Sequence, residues 1–294
     1  MPTNPIAPYA IVEAPTRERS LHGLLSVIEP ITGNEDWLRG LTWDPVFCAF
    51  IASNDPATFI ESHPTSLSTA ATGSGGGLSP GDDLLIVYPF MLENGVNRVT
   101  WGFLNQDYPA VPARLLEDAT EFSVEREFWT GSALSTNPHL AMSSATLVNT
   151  GTALGTKRAL AALEQEALEH TLGQRVMIHA SAEVVTMWMG DGTLADDGGT
   201  IVTKSKGNVV VAGAGYPGTG PSGDTHETPE DGHSWAYATG MVDVRLTDVV
   251  VSPDKLAMAL APGTNEVTYR ASRFAAVSFD PCSGPLAVYV NLGS

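Results

Sequence analysis

The sequence predicts an α+β fold built around one long helix. A helical period of apolar residues extends over residues 108–131, the strongest such pattern in the chain. The 29 glycines and 20 prolines indicate many turns and therefore many short strands. The predicted order is strands, the long helix, mixed helices and strands, and strands again, which differs from the regular alternation of a βαβ fold.

Composition favours a large folded core and limits the partners. Of 294 residues, 43% are hydrophobic and 16% are charged. The net charge of −18 argues against a protein that binds nucleic-acid phosphates tightly. It does not exclude a protein shell that encloses nucleic acid without binding it. No stretch approaches the roughly 20 apolar residues of a membrane span. The first 20 residues lack the pattern of a signal peptide, so we expect synthesis in a cytoplasm. Cys48 and Cys282 are expected to be free thiols.

The segment before the long helix is predicted to contain an arm, a loop and strands. Four prolines in the first 20 residues favour an extended arm, and its apolar residues indicate that it lies on another surface. Residues 43–52 are predicted to form a strand, and residues 53–82 form a loop rich in glycine and serine. Asn94-Gly95, between two apolar runs, predicts a β-hairpin.

The long helix is predicted over Tyr108–Thr130, with Gly131 as a left-handed cap. The expected buried stripe consists of Val111, Leu115, Ala119, Phe122 and Trp129.

Glu117, Glu121 and Glu125 stand four residues apart on the same helix, on the side expected to be polar. Like charges at this spacing weaken an isolated helix by about 0.2–0.5 kcal/mol per pair. Either the three face water, or at least one contacts a basic residue of another subunit. Arg17 and Arg19 in the arm are the candidate partners, because arginine pairs with carboxylates in a bidentate manner.

The remainder of the chain is predicted to alternate between helices and strands around one long loop. The predicted helices are 156–172, 182–189 and 254–260. The loop is 213–232, and the predicted strands are 175–180, 201–204, 208–212, 235–239, 242–251, 267–279 and 286–292.

No pattern for catalysis, cofactor binding or metal binding stands out. Gly213, Gly215 and Gly218 match G-x-G-x-x-G after a strand, but Pro217 and Pro221 occupy the place of the helix that a dinucleotide site requires. Hence we expect a plain loop with no helix opening at Gly215. The loop that contains His226 and His233 is more typical of a solvated acidic loop than of a metal site. His179 ends an apolar strand and is expected to lie in the core or to cap an element.

Several short segments of this sequence resemble segments of the major capsid proteins of tailed phages that infect actinobacteria. They are SVEREFWTG (123–131), RVMIHAS (175–181), NVVVAGAGYPGTGP (208–221), SWAYATG (234–240), and SRFAAVSFDPC with AVYVNL (272–282 and 287–292). The resemblance covers the chain from about residue 43 to its end. It implies the HK97-like capsid fold, with an N-terminal arm, an extended loop, a spine helix, and peripheral and axial domains.

The resemblance also implies a division of the chain. The extended loop is either residues 53–82 or the Asn94-Gly95 hairpin. The implied parts are an N-terminal arm (1–42), strands with the extended loop (43–104), the spine helix and peripheral domain (105–154), the axial domain (155–262), and return strands of the peripheral domain (263–294).

The function that the resemblance implies is structural. The chain would assemble as hexamers and pentamers into an icosahedral phage head that encloses double-stranded DNA without reading its sequence. It would not be an enzyme and would need neither a cofactor nor a membrane. Its candidate partners are decoration, portal or scaffolding proteins. We expect it in the virion after synthesis in the host bacterial cytoplasm. The alternatives are a minor virion or compartment-shell protein, and a nucleotide-binding oxidoreductase that uses Gly213–Gly218.

Overall fold

Two sheets and one long helix organise the described part of the chain. The computed structural model describes residues 21–33, 36–42, 86–99, 107–171, 173–254, 256–261, 263, 266–279 and 284–293. The α-helices in these ranges are α1 (Leu24–Val27), α2 (Ala110–Thr130), α3 (Thr156–His170), α4 (Ala182–Gly190) and α5 (Leu256–Ala259). The strands are β1 (Leu41–Thr42), β2 (Ile86–Val87), β3 (Phe90–Val99), β4 (Thr146–Leu147), β5 (Leu154–Gly155), β6 (Met177–Ala180), β7 (Leu194–Asp197), β8 (Thr200–Thr203), β9 (Val209–Ala212), β10 (His233–Thr239), β11 (Val242–Leu246), β12 (Val250–Ser252), β13 (Leu260–Ala261), β14 (Glu266–Phe279) and β15 (Leu286–Asn291).

The larger sheet is mixed and is covered on both faces. Its strand order is β4-β15-β10-β6-β9-β8-β7, and β5 also pairs with β15. Because side chains alternate along a strand, Ala236 and Ala238 of β10 face a core shared with α3 and α4. Trp235 and Tyr237 of the same strand face a second core, shared with the end of α2.

The smaller sheet is built on β14. Along Glu266–Ala275 this strand pairs antiparallel with β3, and β11, β12 and β13 also pair with it. Helix α2 packs against both β14 and β3. The helix therefore links the two sheets, because its C-terminal residues Val124, Phe128 and Trp129 enter the core of the larger sheet.

The predicted bounds of the long helix are confirmed, but the predicted buried stripe is wrong. The helix ends at Thr130 and Gly131 adopts the left-handed conformation, with φ of 59°. Trp129 is buried as expected, whereas Leu115 is 38% exposed and Phe122 is 45% exposed. Leu116, Val124 and Phe128 are buried instead, since β14 and β3 lie on their side of the helix. Two apolar stripes run along this helix, and periodicity alone does not choose between them.

The hairpin predicted at Asn94-Gly95 is also wrong. Residues 90–99 form one continuous strand, in which Asn94 pairs with Ala271 and Gly95 with Arg270. Neither residue has the positive φ that a two-residue hairpin turn of type I′ requires. Strand β14 pairs with the backbone of residues 90–99 along its whole length, so this segment stays extended and does not turn back on itself.

Most elements predicted after residue 155 are confirmed, with small shifts at their ends. The predicted strand 242–251 is two strands, β11 and β12, and both pair with β14. Strands β13 and β14, on either side of residue 263, both belong to the smaller sheet, so sheet membership does not change at that residue. Strand β15 belongs to the larger sheet. The division into named domains stays a prediction. The predicted strand 43–52, the loop 53–82, Cys48 and Cys282 lie outside the described residues.

Candidate functional site: a carboxylate junction on helix α2

Glu125 is a buried carboxylate that holds two distant segments against helix α2. Its side chain is 0% exposed. The backbone N–H of Leu24 donates to Oε1 at 2.8 Å, and the backbone N–H of Gly215 donates to Oε2 at 2.8 Å. One carboxylate thus joins the start of α1, the loop after β9 and the long helix.

Glu121 binds the same N-terminal turn one helical turn away. Its Oε1 accepts a hydrogen bond from the backbone N–H of Leu25 at 3.1 Å. Free N–H groups at the start of a helix favour negative charge, so two carboxylates suit this end of α1. Gly23 lies between them: a Cβ there would stand 2.2 Å from Oε1 of Glu121 and 3.0 Å from Oε1 of Glu125. A Cβ at residue 23 would therefore require the Glu121 side chain to move away from the N-terminal turn.

Glu127 makes a third junction at the end of the helix. Its carboxylate accepts from the backbone N–H groups of Ala133 at 2.7 Å and Leu134 at 2.9 Å, and from the Ser132 hydroxyl at 3.1 Å. These bonds fold the chain back after Gly131. As a result, Glu127 is buried with both of its carboxylate oxygens hydrogen-bonded.

Aromatic and imidazole rings continue the junction into the larger sheet. His179 is 0% exposed and lies between the Tyr216 hydroxyl, 3.1 Å from Nδ1, and Thr239 Oγ1, 3.0 Å from Nε2. Trp129 packs on Tyr216 with ring centroids 5.0 Å apart, and its Nε1 donates to the Thr219 carbonyl at 3.1 Å. The loop at Gly213–Gly218 is therefore fixed from both sides, and the prediction of a core histidine is confirmed.

Burial dominates the electrostatics of this site. Burial raises the pKa of Glu125 to about 7; hydrogen bonds from the backbone N–H groups of Gly215 and Leu24 oppose the rise, and the charge of Glu121 adds to it. Burial also lowers the pKa of His179 to about 3, so this imidazole is neutral near neutral pH. The pKa of Tyr216 is raised well above its usual value by burial and then by the charges of Glu125 and Glu121.

The structure divides the three predicted contact glutamates. Glu117 is exposed, whereas Glu121 is half-buried and Glu125 is fully buried. The expectation that all three lie on the polar side, opposite the buried stripe, is wrong, because backbone N–H groups of the same chain occupy two of them. Arg17 and Arg19 lie outside the described residues, and the contact with another subunit stays a prediction.

Sequence reasoning missed Glu127 and the role of Glu125, although one signal was present. Glu127 falls in the last turn of α2, where the helix dipole disfavours negative charge. A carboxylate placed against the dipole indicates that something else binds it. Here the donors are backbone amides, which leave no trace in the side-chain pattern of a sequence.

The other residues considered for cofactor or metal binding make contacts within the fold. No helix opens at Gly215, as predicted, and the loop there meets α2 closely. His226 and His233 pack against the ring of Tyr289, with centroids 4.8 Å and 5.1 Å away. Within the described residues no group of three potential metal ligands is found. Nor does any helix in those ranges have the length and apolarity to cross a membrane.

Comparison with known proteins gives a structural likeness and no sequence match. No protein-family model matches the chain, and no curated protein matches its sequence. The holo-SrpI encapsulin complex from Synechococcus elongatus aligns at 11% identity and a TM-score of 0.47, over 72% of this chain and 78% of its own.

Two capsids align over almost the full length of both chains. The capsid of an empty GTA particle covers 98% of this chain and 96% of its own, at 10% identity and a TM-score of 0.52. The capsid of a native GTA particle covers 99% and 96%, at the same identity and TM-score. The chain has the HK97-like fold. At this identity the likeness establishes the HK97-like fold, and the function must be argued from the residues.

Proposed function

We propose that this chain is the major capsid protein of a tailed phage, which assembles as hexamers and pentamers into an icosahedral head around double-stranded DNA. The observation that carries the proposal is the extent of the likeness, which covers 98% of this chain and 96% of a GTA capsid chain. The net charge of −18 supports an enclosing wall that does not bind packaged DNA tightly.

A structural rather than catalytic role agrees with how the charged groups are used. The carboxylate oxygens of Glu125 and Glu127 are occupied by donors from the chain itself. His179 is enclosed between Tyr216 and Thr239, and no substrate could reach it without unfolding this core. These groups hold the subunit together, and the proposed function needs no cofactor.

The outer stripe of α2 is the proposed contact with a neighbouring subunit. Leu115 is 38% exposed and Phe122 is 45% exposed, on a helix whose other face is already covered. Apolar side chains arranged along one helix face are typical of a surface that binds a partner. Glu117 is exposed on a different side of the same helix, since residues two or five positions apart do not share a helix face, and Arg17 or Arg19 in the arm of another subunit would complement its charge.

The proposed parts of the subunit follow the HK97-like fold. Helix α2 would be the spine, and residues 1–42 would be the arm. With the Asn94-Gly95 hairpin excluded, residues 53–82 are the remaining candidate for the extended loop. The larger sheet would form the axial domain and the smaller sheet the peripheral domain, which moves β15 to the axial side and β11 and β12 to the peripheral side.

Electron microscopy of the purified full-length protein tests the proposal directly. We expect closed shells, or hexameric and pentameric capsomers, and we expect the protein to be the most abundant species in purified virions. A small soluble oligomer with no larger assembly would overturn the proposal. Shells that lack DNA and lie inside cells would favour a compartment-shell protein instead.

The contact surface has its own test. Phe122→Ser should reduce the yield of shells while leaving the unassembled subunit folded, and Met187→Ser, equally partly exposed but on α4, should not. Glu117→Gln should shift the salt dependence of assembly, since screening weakens a charged contact. If both α2 variants assemble like the unmodified protein at every salt concentration, neither Phe122 nor Glu117 takes part in a subunit contact.

A further inference from the structure

The N-terminal turn of α1 is seated on two carboxylates that stand unusually close to each other. Oε1 of Glu121 and Oε1 of Glu125 lie 2.2 Å and 3.0 Å from the position of a Cβ on Gly23. The two oxygens are therefore separated by no more than the ~4–6 Å over which like charges perturb each other's protonation. They bind successive backbone N–H groups, those of Leu25 and Leu24.

No cation compensates this pair within the described residues. The ion pairs found there involve neither Glu121 nor Glu125. The other titratable or charged groups on the packed elements are His22 on the N-terminal segment, Tyr216 in the loop, and Arg114, Glu117, Asp118, Arg126 and Glu127 on α2. Of those on α2, all but Glu127 are exposed. Two carboxylates this close, supported by backbone N–H groups and by the Ser26 hydroxyl 3.4 Å from Oε1 of Glu121, favour the uptake of one proton.

We propose that Glu121 and Glu125 form a proton-dependent latch, which holds residues 21–27 on helix α2 when the pair carries one proton and releases them more readily when both are charged. Release would expose the carboxylates to water and free the N–H groups of Leu24 and Leu25. Oε2 of the same carboxylate accepts a hydrogen bond from the Gly215 N–H, so the charge of Glu125 also acts on the contact with that loop. The N-terminal segment and the loop beside the larger sheet therefore share one carboxylate.

The direction of the effect follows from proton linkage. In the closed state the pKa of Glu125 is about 7, above the value of 4.5 for an exposed carboxyl. A proton is thus bound more tightly in the closed state, so the closed state is favoured at low pH. That preference is lost as the pH rises from 4.5 through 7. From pH 6 to pH 8 the opening equilibrium should increase about tenfold.

Hydrogen exchange of the full-length protein measures this opening. Exchange of the amides of Leu24 and Leu25 is followed from pH 5 to pH 8.5, with the intrinsic pH dependence of exchange divided out. Opening should rise about tenfold between pH 6 and pH 8. Amides in the middle of α3 serve as the internal reference and should not follow this curve. A pH-independent opening at residues 24–25 would overturn the proposal.

Three variants separate the latch from other causes. Glu125→Gln should abolish the pH dependence at Leu24 and Leu25, because the amide is neutral at every pH. Glu121→Gln keeps Glu125 and removes its charged neighbour, so the rise should begin at a lower pH even if Glu125→Gln folds poorly. Glu183→Gln, exposed on α4, should leave the curve unchanged.

His22 is the one competing titratable group on the segment itself. His22→Gln should keep the pH dependence of the unmodified protein if the carboxylates are responsible. Loss of the dependence in His22→Gln, or its persistence unshifted in Glu121→Gln, would overturn the assignment to the carboxylate pair.

Discussion

Gly215→Ala tests how closely the loop after β9 meets helix α2. A Cβ at this position would lie 2.3 Å from the carbonyl oxygen of Phe122, 2.8 Å from Cβ of Glu125 and 2.9 Å from the backbone N of Arg126. Two of these atoms belong to the backbone of a buried helix and cannot rotate away. The loop must therefore move outward, although alanine adds a single methyl group.

The cost has two parts. Forcing a methyl group into a filled space costs about 1–3 kcal/mol. Moving the loop also weakens the hydrogen bond from the Gly215 N–H to Glu125, and a bond to a charged group contributes about 1.5–3 kcal/mol. The lower entropy of alanine in the unfolded chain returns about 0.4–1 kcal/mol. We therefore expect the free energy of unfolding to fall by about 2–5 kcal/mol.

Urea denaturation of the unassembled full-length protein measures this change, with tryptophan fluorescence as the signal. Gly190→Ala is the matched control, because a Cβ there meets no atom within 4 Å and its φ is not positive. That control should change the free energy of unfolding by less than about 1 kcal/mol. Equal denaturation midpoints for the two variants would refute the close packing of this loop on α2.

Two further predictions test corrected parts of the fold, and a third tests the buried histidine. Gly95→Thr should raise the thermal midpoint of unfolding, since glycine inside a strand costs about 0.5–1 kcal/mol of stability. A lower midpoint would contradict the continuous strand and favour the predicted hairpin. Phe128→Ala should cost about 3–5 kcal/mol in the unassembled subunit, and Phe122→Ala far less; similar losses would contradict the observed buried face. His179 remains neutral when folded, so the unfolded state binds the extra proton between pH 6.5 and pH 3 and stability falls as the pH drops. The slope from this residue should approach about 1.4 kcal/mol per pH unit, and His179→Gln should remove it; an unchanged slope would place the titrating group elsewhere.

Local patterns in the sequence were sufficient for the helices and for most strands. The long helix begins after Pro109 and ends at Gly131, because proline suits a helix entrance and glycine suits a left-handed cap. The strands around residues 175–180 and 286–292 each contain two β-branched residues at alternate positions, Val176 and Ile178 in the first and Val288 and Val290 in the second, a pattern that favours strands. Such signals depend on residues a few positions apart and are therefore visible without the fold.

The tertiary structure decided which side of each element is buried and which carboxylates are bound by backbone N–H groups. Leu115 and Leu116 are adjacent, and the position of β14 and β3 selects Leu116 for the core. Asn94-Gly95 is extended because β14, about 175 residues further along the chain, pairs with it. Glu125 is buried because N–H groups 101 and 90 residues away satisfy its carboxylate. Backbone donors at such separations are shared by every residue type, so a sequence alone carries no mark of where they will meet a side chain.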